Sequence, residues 1–219
     1  MIGTKIKMEI NQDLEEYILE NIDPEDEVLY ELTRLTNLMA VHPRMLSGHL
    51  QGSILRMISK MIQPLQILEI GTFTGYSAIC LAQGLADKGH LHTIEINDEI
   101  TEVAMSFIDR LNLKSKITIH TGNAIEIIPR FTQLFDLIYI DGEKSEYPEY
   151  YKLVINKVRQ GGYIIIDNIL WSGKVLETEE SNDHFTKGIK QFTTNLKTDS
   201  RVEKVILPVR DGLMLLRKK

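Results

Sequence analysis

Two apolar runs in the second half of the chain end in oxygen-bearing side chains: Tyr139, Ile140, Asp141, and Ile164, Ile165, Ile166, Asp167, Asn168. If both runs are strands of one open α/β sheet, their carboxyl ends face a common crevice. Asp141, Asp167 and Asn168 then converge although they are far apart in sequence. Two carboxylates and an amide form a hard, all-oxygen set that suits magnesium, or manganese or calcium, better than zinc or copper. The six histidines show no paired metal-ligand spacing, which supports that choice. Either aspartate alone reads better as a helix cap, but the pair beside Asn168 reads as a metal site. Lys144, three residues beyond Asp141, puts an amine over the same crevice. It can act as a base if burial or a neighbouring cation lowers its pKa. Trp171, the only tryptophan, offers an apolar wall for a planar substrate. Tyr147 and Tyr150 are read as helix packing.

A second group of residues reads as a nucleoside site. The run Ile67, Leu68, Glu69, Ile70, Gly71, Thr72, Phe73, Thr74, Gly75, Tyr76, Ser77 sets a glycine turn between a strand and its helix. A dinucleotide fingerprint starting at Gly71 needs glycine where Phe73 and Tyr76 stand, so a pyrophosphate cradle and a nicotinamide oxidoreductase are disfavoured. A bulkier loop suits a cofactor without phosphates, whose carboxylate lies near the free N–H groups of the helix. S-adenosylmethionine is such a cofactor. Glu95 closes the next strand about twenty residues on, where a carboxylate can accept hydrogen bonds from both ribose hydroxyls. Gly122, Asn123 and Ala124 form a small-residue turn with space for a flat adenine.

These residues need a sheet to position them. From Ile67 onward short apolar runs alternate with amphipathic stretches, the pattern of β-α units. Strands are expected near 67–70, 91–96, 116–120, 136–140 and 162–166, and helices near 76–87, 98–112, 123–131, 147–160 and 183–197. Two last strands, 202–208 and 212–217, are joined through Arg210, Asp211 and Gly212, a turn so short that they must run antiparallel. This places one reversed strand at the edge of an otherwise parallel sheet. Before residue 62 the apolar spacing is helical, with Leu14, Tyr17, Ile18 and Ile22, then Val28, Leu29, Leu32, Leu35 and Met39. One domain is expected over 1–219, with 1–62 a helical segment and 63–219 the cofactor-binding α/β core.

Composition sets outer limits. A chain of 219 residues that is 43% hydrophobic can bury a real core. The formal charge of −6 gives no overall attraction to a phosphate backbone. Cys80 is the only cysteine, which excludes an intrachain disulfide and a thiolate zinc cluster and fits a reducing, cytoplasmic setting. Neither a signal peptide nor a membrane span is legible.

Taken together, these residues resemble the cation-dependent O-methyltransferase family that includes the catechol and caffeoyl-CoA enzymes. The match runs from Met45 and Gly52, through Glu69 to Ser77, to Asp141, Lys144 and Tyr147. It continues through Asp167, Asn168, Leu170, Trp171 and Gly173 to Asp211, Gly212 and Leu213. The resemblance implies a class I methyltransferase, Rossmann-like fold with seven strands, and frequently a homodimer. It implies that Glu69, Gly71, Ser77, Glu95 and Ala124 line the cofactor site, with Phe73, Gly75, Ile96, Asn123 and Asp141 completing it. It makes Asp141, Asp167 and Asn168 the metal ligands and Lys144 the base, and sets Met45 and Trp171 against the substrate. A small catechol-like acceptor is expected; a tRNA 5-hydroxyuridine is the alternative, and a silent adenosyl-binding module a third reading. Two departures stand out. Residues 142 and 143 are Gly and Glu, where the family more often has a small residue followed by a varied one. The segment after Trp171 is acidic, with Glu177, Glu179, Glu180 and Asp183, a poor match for an anionic coenzyme A thioester or RNA unless Lys174 or Arg210 offsets it.

Overall fold

The computed structural model describes residues 12–178 and 182–219. Glu179 and Glu180 of the acidic segment therefore lie outside the described residues. Helices α1 (Gln12–Glu20), α2 (Glu27–Met39) and α3 (Gly48–Ile62) come first. Asp26 caps α2 by accepting from Val28 N at 2.8 Å, and α3 stops at Gln63, left-handed with φ 50, directly before Pro64. Units β1 (Gln66–Ile70), α4 (Tyr76–Ala82), β2 (His90–Glu95), α5 (Asp98–Arg110) and β3 (Ile117–Thr121) build one half of the sheet. Then α6 (Ala124–Ile127), β4 (Phe135–Ile140), α7 (Tyr147–Val154), β5 (Val158–Ile166), α8 (His184–Lys197), β6 (Val202–Leu207) and β7 (Leu213–Lys218) complete it.

The seven strands lie in the order β3-β2-β1-β4-β5-β7-β6. All neighbours are parallel except β5–β7 and β6–β7. The reversed strand is therefore β7, inserted between β5 and β6 rather than at the edge. Its residues Leu213, Met214 and Leu216 are buried, whereas Glu203, Lys204, Val205 and Ile206 of β6 are exposed. The more apolar strand of the hairpin takes the covered position.

Alternation along the strands divides the core between the two faces. Leu68, Ile70, Ile138, Ile140, Ile164 and Ile166 pack under α6, α7 and α8. Ile67, Leu91, Leu137, Tyr139 and Ile165 pack under α2 to α5. Burying each such aliphatic side chain contributes roughly 1.5–3 kcal/mol.

Three helices are shorter than the periodicity suggests. The helix expected at 147–160 ends at Val154, because β5 starts already at Val158. The β4–β5 register shifts between Phe135 and Leu137, a bulge that takes up Gly161 at φ 74 and Gly162. A Cβ on Gly162 would stand 3.0 Å from the carbonyl oxygens of Arg159 and Asp136. The helix expected at 123–131 tightens at Ile128–Arg130 into a 3₁₀ turn around Pro129. The helix from Tyr76 stops at Ala82, and just beyond it Gly84 meets the backbone of α3 at Ser59 and Lys60. Among the described residues no helix is long and apolar enough to cross a membrane.

Candidate active site

The turn after β1 is built from left-handed residues: Gly71 at φ 102, Phe73 at φ 48 and Gly75 at φ 91. Gly71 N donates to Ile94 O at 3.0 Å, which ties the turn to the end of β2. Phe73 N donates to Glu95 Oε2 at 2.7 Å, and Asn97 N donates to Glu95 Oε1 at 3.0 Å. Both carboxylate oxygens of Glu95 thus hold backbone already, and each keeps lone pairs for a further donor. Gly122, at φ 138, extends the rim by donating to Glu95 O at 2.8 Å. Asn123 caps α6 through Ile125 N at 2.8 Å.

Glu69 lies beneath this turn and is fully buried. Its Oε2 accepts from Thr93 Oγ1 at 2.6 Å, and the Thr93 hydroxyl in turn meets that of Thr72 at 2.5 Å. Its Oε1 has no partner. Burial pushes the Glu69 carboxyl up to about 8, while the hydroxyls of Ser77 and Thr93 oppose the rise. An unfolded chain releases this proton near 4.5, so its contribution to stability falls as pH rises from about 4.5 to about 8. Glu69→Gln is therefore expected to flatten the pH dependence of the urea midpoint across that window and to gain most over the native protein near its upper end. A slope unchanged from the native protein would show that Glu69 titrates normally.

The ends of β4 and β5 bring Asp141, Asp167 and Asn168 together. Asp141 N donates to Ile70 O at 2.9 Å and Asp167 N to Ile140 O at 3.0 Å, so the two aspartates prolong adjacent ladders. Lys144 Nζ donates to Asp141 Oδ1 at 2.6 Å and to Gly142 O at 3.1 Å. Asp167 is 3% exposed and accepts from Tyr139 OH at 2.9 Å, from Gln51 Nε2, and from Asn168 N at 2.7 Å. Its carbonyl accepts from Tyr147 OH at 3.0 Å. Burial pushes the Asp141 carboxyl up to about 7; the Lys144 ammonium pulls it down and the Asp167 carboxylate adds to the rise. A buried Asp167 and a half-buried Asp141 thus meet at the Lys144 ammonium, and the Arg210 guanidinium also pulls Asp141 down.

The strap that follows is held in an unusual conformation. Asn168, Trp171 and Ser172 have φ of 54, 46 and 50, and Gly173 has φ 81. Strain of this kind persists only where surroundings over-determine it. Asp211 supplies that restraint, its carbonyl accepting from Leu170 N at 2.9 Å and its Oδ1 from Ser172 N at 2.5 Å. Trp171 packs edge-on to Phe185, with ring centroids 6.0 Å apart.

All of this surrounds one cavity of about 1650 Å³. Gly71, Phe73, Ser77, Glu95, Ile96, Asn123 and Ala124 line one end, and Asp141, Lys144, Asp167, Asn168, Trp171 and Met45 the other. Glu69 and Gly75 stand behind the wall instead, Glu69 under the turn and Gly75 against Ala104 of α5. Residues left without a role by the motifs are Gln51 and Tyr139, together with the restraining role of Asp211; Arg210, offered as a counter-charge to the acidic segment, reaches over α3 instead, its Nη1 3.4 Å from Leu46 O and from Gln51 Oε1. Gln51 carries one usable signal: it shares the buried stripe of α3 with Leu55 and Ser59, where a polar side chain needs a partner.

An open sheet of this order, with a nucleoside-sized turn after β1 and acidic strand ends beside it, defines a class I methyltransferase fold. A family model described as O-methyltransferase matches residues 19–219. The chain belongs to this O-methyltransferase family. A catechol O-methyltransferase of Niastella koreensis is 34% identical over 203 residues, covering 91% of each chain. Caffeoyl-CoA O-methyltransferase 2 of Eucalyptus globulus is 33% identical over 94% of this chain and 88% of its own. An O-methyltransferase from Bacillus cereus, solved with SAH, superposes with a TM-score of 0.87 at 30% identity, covering 94% of this chain and 97% of the other.

Proposed function

We propose that this chain transfers a methyl group from S-adenosylmethionine to a hydroxyl that neighbours a second oxygen on a small, catechol-like acceptor, with the help of a divalent cation. The observation that carries the reading is the meeting of Asp141, Asp167, Asn168 and Lys144 at one end of a cavity whose other end is closed by Glu95 and the Gly71 turn. The donor set fits a hard cation. It is all oxygen, with Asp167 buried and Asp141 and Asn168 half-buried, and burial raises Asp141 against the Lys144 ammonium and the Arg210 guanidinium. Among the described residues no cluster of three or more His, Cys, Asp or Glu side chains competes for an ion. Magnesium is the natural occupant, held by Asp141, Asp167 and Asn168; when bound, it supplies positive charge that lowers the pKa of an acceptor hydroxyl.

The protein's own residues do the rest. Tyr139 and Gln51 hold Asp167 in place, so that the carboxylate cannot turn away from the crevice. Lys144, held by Asp141 and Gly142 O, can take the hydroxyl proton once it has given up its own, as a neutral amine beside the cation. Glu95 holds the Phe73 turn and keeps lone pairs that can accept from ribose hydroxyls. Trp171 and Met45 offer apolar contact to a planar ring and exclude water. The homodimer and the cytoplasmic setting expected from the sequence belong to the same proposal.

The test is transfer of labelled methyl from S-adenosylmethionine to a catechol panel and to bulk tRNA, with magnesium and with chelator. Labelling of a catechol that disappears with chelator is the expected result. Labelling of tRNA alone, or labelling indifferent to chelator, would overturn the acceptor or the metal.

A further inference from the structure

Behind the crevice three polar side chains close on one another. Tyr139 OH donates to Asp167 Oδ2 at 2.9 Å and accepts from Gln51 Nε2 at 2.9 Å. Gln51 Nε2 also donates to the same Asp167 Oδ2. The other carboxylate oxygen, Oδ1, accepts from Asn168 N at 2.7 Å. Tyr139 is fully buried and Gln51 and Asp167 are each 3% exposed, so these bonds are made among the side chains rather than with bulk solvent. Arg210 Nη1 reaches the far end of the Gln51 amide, 3.4 Å from its Oε1.

Neither donor is needed to fill space. Tyr139 stands on the face of β4 that packs with Ile67, Leu137 and Ile165, where a phenyl ring would occupy almost the same volume. A buried hydroxyl costs free energy unless it is paired, so what the phenol adds at this position is its bond to Asp167. The same holds for the Gln51 amide in the buried stripe of α3 beside Leu55 and Ser59. The effect on Asp167 can be counted. An ionised carboxylate has about four lone-pair sites, two on each oxygen. Tyr139 and Gln51 occupy both sites of Oδ2, and Asn168 N occupies one of Oδ1. Asp167 therefore brings a single lone pair to the cavity that it lines.

We propose that Gln51 and Tyr139 are positioning residues that confine Asp167 to one oxygen contact and so bias the site toward magnesium and against calcium. This rests on the divalent-cation reading of the site given above. Calcium takes about 6–8 oxygens in flexible geometry and accepts both oxygens of a carboxylate, whereas magnesium demands near-octahedral placement of fewer ligands. A carboxylate locked with one free lone pair meets the second demand and withholds a ligand from the first ion. Releasing Oδ2 gives calcium the oxygen it lacks and gives magnesium only a less rigid partner.

The experiment titrates magnesium chloride and calcium chloride separately into the SAH-loaded protein by calorimetry, for the native chain, Tyr139→Phe, Gln51→Met and the double variant. Tyr139→Phe is expected to move the ratio of the two dissociation constants toward calcium by ~10-fold, the scale of losing one outer partner of a metal ligand. Gln51→Met should move it in the same direction, and the double variant furthest. A merely structural role would weaken both ions alike and leave the ratio where it was. SAH affinity and the thermal midpoint report whether each variant has kept its fold, and if Tyr139→Phe has not, Gln51→Met decides. A ratio unchanged from native in the folded variants, or one moved toward magnesium, overturns the inference. Binding of neither cation to the native protein overturns the underlying metal reading as well, which separates the two failures.

Discussion

Asp141→Asn is expected to lower kcat/KM for methyl transfer by roughly a thousandfold, the scale of losing one preorganised charge at a reacting centre. The substitution keeps shape and removes charge. Asp141 is the partner of Lys144 at 2.6 Å and faces the Asp167 carboxylate, so a neutral amide both frees the ammonium and weakens the hold on a cation. The fold should tolerate the change. A carboxyl raised to about 7 by burial costs the folded state something near neutral pH, and its loss relieves that cost. The thermal midpoint should therefore stay within a few degrees of the native value, and calorimetry should find SAH affinity changed far less than turnover. Activity within tenfold of native would remove Asp141 from the centre; loss of activity together with a collapsed midpoint would make its role structural.

Gly71→Ala should have a large effect on the fold for a single added methyl group. At φ 102 an added Cβ is strained wherever it points, and here it would stand 2.5 Å from Asp141 O and 2.9 Å from Asp141 C. Those are backbone atoms at the end of the adjacent strand, held by Asp141 N donating to Ile70 O, and they cannot swing aside. Backbone strain and overpacking together should cost about 3 kcal/mol or more. Because the clash forces the β1 turn and Asp141 apart, SAH binding should be lost along with stability. Urea denaturation and calorimetry measure both. A variant as stable as the native protein would mean that the turn can open without cost. Gly173→Ala is the useful contrast, since at φ 81 it carries backbone strain without a clash, its Cβ meeting nothing within 4 Å.

Strand positions and the convergence of Asp141, Asp167 and Asn168 were legible because period and strand ends are local signals. The pairing of β7 with β5 was not, since a hairpin specifies its own antiparallel partner and says nothing about which member covers the sheet edge. Helix lengths failed where a tertiary contact decided them, at Gly84 against α3 and at the Gly161 and Gly162 bulge. In the site, Glu69 was set in the cofactor wall only by the family resemblance, and strand alternation with the Thr93 and Thr72 hydroxyls holds it beneath the turn. Gln51 was hidden for a plainer reason: its partners Tyr139 and Asp167 lie 88 and 116 residues further along the chain.

The insertion of β7 between β5 and β6 also bears on how the protein is made. A growing chain presents β5 on the ribosome with one side unpaired, and β6 emerges with no partner beside it, until the final strand slides between them. Ile164 and Ile166, buried under α8 in the finished sheet, belong to a strand whose open edge waits for β7, which is translated after both of its neighbours. Such an edge is a template for pairing with other chains. Nascent protein stalled before Leu213 should accordingly be the species most prone to aggregation and most dependent on chaperones.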